Sequence, residues 1–210
     1  MCNQLSITRT ITALEAMASY FVEVLGGRLY TNYPPPSPII TINPRGRTNA
    51  IGWFSGNRWN SGSLGRVAEI NICPEQLAKG RDLLSAVLLH ELVHHANWLD
   101  GIRDCSPTQY HNKAFKARCQ RIDLICEFEN RRYGWSRTML SPELAFVVDA
   151  MPFDNAAFSM FRIDEPQRRV GSPLRKWSCH CGNIWSARTI DLSCRRCGQA
   201  LVKVLKARAA

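Results

Sequence analysis

No segment of this 210-residue chain holds the ~20 consecutive apolar residues of a membrane-spanning helix, although 45% of its residues are apolar. A helical span is therefore excluded, and a water-facing globular protein is expected. The start, Met1-Cys2-Asn3-Gln4, lacks the basic residues and apolar core of a signal peptide, so a cytoplasmic location and no membrane partner are expected. A regular disulfide framework is also missing. Of nine cysteines, Cys2, Cys73, Cys105, Cys119 and Cys126 are scattered and odd in number, which argues for reduced thiols. Cys105 has no companion base nearby in sequence and reads as a loop thiol rather than a nucleophile. Acidic residues are scarce, 17 against 27 Lys and Arg, for a net charge of +10. The imbalance is concentrated: residues 1–112 hold nine basic and eight acidic residues, and residues 113–210 hold eighteen and nine. The C-terminal half is thus expected to meet a polyanion, nucleic acid above all, with a merely solvated basic surface as the alternative.

Histidine is rare, five in the chain, yet His90-Glu91-Leu92-Val93-His94 places two of them four apart inside an apolar run. On a helix such positions lie about 40° apart around the axis and roughly 6 Å along it, so both rings can reach one ion. Neutral imidazoles suit zinc. Glu91 is turned about 100° from His90, where its carboxylate can act as a base without ligating. Leu83, Leu84, Val87, Leu88, Leu92, Val93 and Ala96 surround these residues and predict a buried helix, in which unpaired imidazoles would be costly without a bound ion. A catalytic zinc takes three protein ligands and keeps one position open. His111, in the first turn of a following helix with Phe115, Cys119, Ile122 and Ile125 on one face, is the expected third ligand. His95 competes for the role but points away from His94; Asp100 and Asp104 are fallback carboxylates.

Upstream, Thr12-Ala13-Leu14-Glu15 reads as a capping box for an amphipathic helix that stops at Gly26-Gly27. Tyr33–Pro38 forces an extended connection. Ile39–Ile42, Ala50–Phe54 and Val67–Ile72 read as three strands of an antiparallel meander. Trp53, Phe54 and Trp59 either pack in that sheet or line a groove beside the metal helix. Pro74 opens a short turn ending at Gly80, Asp82 is placed to cap the metal helix, and Asp100-Gly101 to end it. Ser141-Pro142-Glu143 begins a short helix through Val148, and roughly 150–173, with Arg162, Arg168 and Arg169, reads as a linker.

His90-Glu-Leu-Val-His94, then Tyr110-His111-Asn-Lys-Ala-Phe-Lys116, preceded by a strand ending Ile70-Asn71-Ile72, resembles the SprT-like zinc metallopeptidase domain of bacterial SprT proteins and of the Spartan proteases that act on DNA–protein crosslinks. The resemblance implies an α+β, zincin-like minimal metallopeptidase domain: a helix, a three-stranded antiparallel sheet, the His-Glu-x-x-His helix and a third-ligand helix. It also implies a catalytic zinc on His90, His94 and His111, Glu91 as catalytic residue, and a protein substrate attached to or bound on DNA.

Near the C-terminus, Cys179-His180-Cys181-Gly182 and Cys194-Arg195-Arg196-Cys197-Gly198 form two cysteine pairs. Four thiolates from two tight turns close a tetrahedral site with no open position, as structural zinc requires, with His180 as a possible substitute for Cys181. SprT-like proteins of bacteria often carry a similar ribbon, which supports four cysteines. Arg175, Lys176, Arg188, Arg195, Arg196, Lys203 and Lys206 make this module basic, and Trp177 and Trp185 interleave with them. Cations for phosphates and rings for unpaired bases are the components of single-strand binding, favouring single-stranded DNA; the alternative has both tryptophans in the module's core. The expectation is a metallopeptidase domain over 10–135, a short helix and linker over 136–173, and a four-cysteine zinc ribbon over 174–206. One catalytic and one structural Zn2+ go with it. The rival expectation is a non-enzymatic, zinc-containing DNA-associated or transcription-related factor.

Overall fold

The computed structural model describes residues 6–44, 50–62, 65–163 and 174–204. It divides into two compact units, Met1–Asp164 and Glu165–Ala210. The first mixes helices with small sheets and the second is built on a small sheet, giving an α+β chain.

In the first unit, helix α1 spans Ile7–Leu29 and buries Leu14, Met17, Phe21, Leu25 and Leu29 along one stripe. It begins a turn earlier than the capping-box reading, with Ser6 as N-cap, and Thr12 and Glu15 lie inside it. It also runs through Gly26-Gly27. A Cβ at Gly26 would fall 2.2 Å from the Tyr33 ring, so here glycine serves a close approach rather than a stop. Strands β1 (Ile39–Ile42), β2 (Gly52–Asn60) and β3 (Arg66–Ile72) form a sheet in the order β1-β3-β2. β2 and β3 are antiparallel, as expected, but β1 pairs parallel to β3, with Ile40 opposite Ile70, so the sheet is mixed and not an antiparallel meander. Hydrophobic alternation assigns a strand its faces; it carries no information on strand direction, and that is why the expectation failed. β2 also continues six residues past Phe54, through a register shift between Ser55 and Trp59.

A 3-10 turn over Pro74–Lys79 leads to α2, Arg81–Leu99. Its N-cap is Gly80, not Asp82, which sits within the first turn. Asp100 caps its end and Gly101 adopts φ +68°. α2 is buried on nearly every side, with Leu84, Leu88, Leu89, Leu92 and Val93 fully enclosed, because α1, the sheet and the elements that follow all pack on it. α3, Lys113–Arg121, starts after an Asn112 N-cap whose side chain accepts from the N–H of Ala114 and Phe115. It buries Phe115 and Cys119, whereas Ile125 lies beyond it and is exposed.

Regular elements continue after α3, into part of the expected linker. β4 (Leu124–Glu127) and β5 (Arg137–Leu140) form an antiparallel hairpin. Helix α4, Pro142–Ala150, is capped by the Ser141 hydroxyl, which accepts from Leu144 N–H. Met151, Ala157 and Phe158, inside the expected linker, are buried in the core of this unit, where the Thr10 hydroxyl donates to the carbonyl of Ala157 at 2.6 Å. The first unit therefore extends well past residue 135. Arg162 is exposed, with its backbone N–H bonded to the Pro74 carbonyl. Arg168, Arg169 and Lys206 lie outside the described residues.

The second unit is a three-stranded antiparallel sheet, β7-β6-β8, built from β6 (Arg175–Cys179), β7 (Gly182–Ser186) and β8 (Val202–Lys203).

Candidate metal centre and cysteine cluster

The ring nitrogens of His90, His94 and His111 come together as the i, i+4 spacing and the third-ligand expectation require. Nε2 of His111 lies 3.2 Å from Nε2 of His90 and 3.1 Å from Nε2 of His94. What faces inward at His111 and His94 follows from what the other nitrogen of each ring touches. Nδ1 of His111 faces two carbonyls, Gln109 at 3.1 Å and Tyr133 at 3.3 Å, which only accept. It therefore carries the proton, and Nε2 presents a lone pair. Nδ1 of His94 faces the Asp104 carboxylate at 2.8 Å and donates likewise. Nδ1 of His90 meets the Thr138 hydroxyl on β5 at 3.1 Å. Inward lone pairs at this separation repel unless a cation lies among them. Tetrahedral zinc with bonds of about 2.05 Å would set its nitrogens roughly 3.3 Å apart, so the donor set fits.

The loop carrying His111 is tied on both sides. Its N–H donates to Tyr133 O at 2.9 Å and its carbonyl accepts from Trp135 N–H at 3.0 Å. Gly134 has φ +69°, and a Cβ there would lie 2.2 Å from the His111 carbonyl oxygen, so only glycine lets the two segments close on each other. Phe115, fully buried, lies against all three imidazoles, with ring centroids 4.6 Å from His90, 4.6 Å from His94 and 4.7 Å from His111. Beside this loop, Pro107–Tyr110 with Arg131 and Arg132 frame an open cleft of about 620 Å³.

Glu91 is 4% exposed and has no hydrogen-bond donor among the described residues. Burial raises its pKa to about 7, with His94 opposing and Asp104 adding to the shift. Such a carboxylate is a poor ion and a good proton acceptor near neutrality. Burial likewise lowers His111 to about 4 and His90 well below its ordinary value, so both rings are neutral and available as ligands.

The competing residues have other partners. His95 is buried with Nδ1 3.1 Å from the Tyr30 hydroxyl. Asp100 pairs with Arg118 and accepts from Thr31. Asp104 orients His94 from behind and does not join the three nitrogens, a role no spacing rule announces because it lies ten residues away across a loop. Thr138 and Phe115 were also invisible as site residues, having only ordinary strand and helix signals. Cys105 is pushed up to about 11 by burial and the carboxylates of Asp104 and Glu91, which fits an inert thiol. Phe54 packs against His94, His95 and Trp98, so it belongs to the support of α2. Trp59 is 45% exposed and donates to Glu69 at 2.6 Å, while Trp53 is half-buried on the opposite sheet face to Phe54.

In the second unit, one sulfur from each of Cys179, Cys181, Cys194 and Cys197 lies within 4.8 Å of the others. A tetrahedron of four thiolates around zinc, with bonds of about 2.3 Å, needs sulfurs roughly 3.8 Å apart, so the four fit one ion. The second pair sits in a tight turn closed by Gly198 N–H on the Cys194 carbonyl at 2.7 Å. N–H groups of Arg196 and Cys197 aimed at Cys194 pull its thiol down to about 6, into the thiolate range. His180 is not part of the cluster: its Nδ1 faces Gln199 Oε1 at 2.8 Å. Arg175, Arg188, Arg195 and Arg196 are exposed and Lys176 is half-buried. Trp185 is 60% exposed, on β7 directly opposite Lys176. Trp177 is 7% exposed and is the core residue of this small sheet, so it is withdrawn as a stacking platform. Among the described residues of this unit Trp177 is the one buried large apolar side chain, and its ring is spent on folding.

A mixed α+β unit with three convergent imidazoles beside a buried carboxylate is a metallopeptidase-type domain. The SprT-like family model matches residues 28–134, just over half of the chain, and the chain belongs to that family. No curated protein and no solved structure matches it.

Proposed function

We propose that this chain is a zinc-dependent endopeptidase of zincin-like build, acting on DNA-bound or DNA-crosslinked proteins, with a nucleic-acid-binding zinc ribbon over 174–206. The convergence of three imidazole nitrogens next to the buried Glu91 carries this reading. His90, His94 and His111 would hold the catalytic ion, and Cys179, Cys181, Cys194 and Cys197 the structural one. When bound, a zinc ion at the imidazoles supplies Lewis acidity for a carbonyl and for water. Glu91, buried beside the imidazoles, is placed to take a proton from water and pass it to the leaving amine nitrogen. Asp104 and the carbonyls of Gln109 and Tyr133 keep Nδ1 of two ligands protonated, which holds their Nε2 lone pairs inward.

Support for nucleic acid comes from the second unit. Exposed Arg175, Arg188, Arg195 and Arg196 supply phosphate partners, and exposed Trp185 beside Lys176 supplies a ring for an unpaired base. A peptidase joined covalently to such a module gains selectivity from being held where its substrate is, without reading substrate sequence.

The test is cleavage of a DNA-binding protein by the purified chain, with and without single-stranded DNA. Turnover stimulated by DNA, abolished by a chelator and lost in Glu91→Gln with zinc retained is the expected result. A Glu91→Gln protein that cuts at the wild-type rate would remove Glu91 as the base, and no cleavage under any condition would favour the non-enzymatic DNA-associated factor.

A further inference from the structure

Arg118 is 4% exposed, and a guanidinium is not buried without cause: its lost hydration is costly and must be met by partners. Its Nε donates to Asn97 Oδ1 at 3.0 Å, one terminal nitrogen to the Leu29 carbonyl at 2.7 Å, and the other to Asp100. The bond to Asn97 differs from the other two in where it leads. Because a guanidinium has donors only, the Asn97 amide must present its oxygen to Arg118. Its Nδ2 is thereby turned toward Asp104, to which it donates at 2.8 Å. The oxygen that receives it, Asp104 Oδ2, is the one that accepts from Nδ1 of His94. A run of bonds with a single possible polarity thus links a buried cation on α3 to a metal-site imidazole on α2.

We propose that Arg118 and Asn97 are positioning residues for the metal centre, setting the amide and carboxylate that hold the His94 ring with its Nε2 turned inward. The inference rests on the three imidazoles being a zinc site. It accounts for an arrangement that helix packing does not need. The Leu29 and Asp100 bonds alone would join α3 to the ends of α1 and α2, yet Asn97, 1% exposed, stands between Arg118 and Asp104 with both of its polar atoms engaged. Asp104 is also fastened from its backbone, where its carbonyl accepts from Asn112 N–H at 2.9 Å. Its carboxylate therefore has one freedom left, rotation, which the Asn97 amide removes.

The experiment measures metal affinity rather than turnover. Full-length wild type, Asn97→Leu and Asn97→Ala are loaded with cobalt or zinc and titrated with a competing chelator, the imidazole and thiolate sites being told apart by their cobalt spectra. Both variants sever the link while sparing the Arg118 bonds to Leu29 and Asp100, one keeping bulk and the other adding none. Expected is a weakening of roughly 10–100-fold at the imidazole site, the usual range for groups behind a ligand, with the thiolate site unchanged and unfolding of the metal-free variants still cooperative. Affinity equal to wild type in either variant overturns the inference. Wild type binding no ion at the imidazoles overturns instead the zinc reading on which it rests.

Discussion

Gly52, the first residue of β2, stands directly over the Glu91 carboxylate: a methyl group placed on it would lie 3.2 Å from Glu91 Oε1, 3.1 Å from Val87 and 2.8 Å from the Asn71 carbonyl oxygen. The sheet thus forms one wall of the pocket that holds the proposed general base. The Asn71 contact is with backbone and cannot be relieved by a rotamer change.

Gly52→Ala is therefore expected to lower stability by about 1–3 kcal/mol, the cost of overpacking, and to reduce turnover by displacing Glu91. Denaturant unfolding and peptide cleavage check the two effects. Stability equal to wild type would show that β2 has room to move away from β3 at this point.

Metal content should read two zinc ions per chain. His111→Ala is expected to lose one and Cys194→Ser the other, because the two donor sets share no residue. Elemental analysis after gel filtration decides it. Cys194→Ser is also expected to unfold the second unit, whose described residues bury Trp177 but little else that is apolar, and far-UV circular dichroism of this variant beside wild type would register that.

The metal-free protein should weaken as the solution is acidified. His95 is held neutral by burial, its pKa lowered from 6.5 to about 4. The unfolded chain takes up a proton below about pH 6.5 that the native chain refuses until about pH 4. The native state then binds fewer protons, so stability falls with falling pH across that window, by up to about 1.4 kcal/mol per unit for this group. Melting temperatures at stepped pH, compared with His95→Gln, test it. The variant should show a shallower slope, and an equal slope would assign the loss to other groups.

The two tryptophans of the second unit should separate cleanly. Trp185→Ala is expected to weaken single-stranded DNA binding by about 1–3 kcal/mol, the range for one stacked base, without changing zinc content. Trp177→Ala should instead disorder the unit, since that ring is buried in its sheet. Fluorescence anisotropy with a labelled oligonucleotide, beside zinc content, distinguishes them. Unaltered DNA affinity in Trp185→Ala would leave the arginines as the whole of the contact.

What could be read from the residues in order was whatever one element or one turn decides. Four-residue spacing on an apolar helix put the His90 and His94 rings side by side and Glu91 apart from them, and two cysteine knuckles announced their own cluster, because helix pitch and turn geometry are local. His111 was within reach for the same reason, lying one loop away. Chain direction in the sheet, the β4–β5 hairpin that brings Thr138 to His90, the Phe115 ring beneath three imidazoles, and the path from Arg118 to Asp104 were settled only by tertiary packing. Their members sit on different elements, so no period or spacing joins them. Alternation and helical pitch tell a side chain which face it is on; which other face it meets depends on how the elements close around one core.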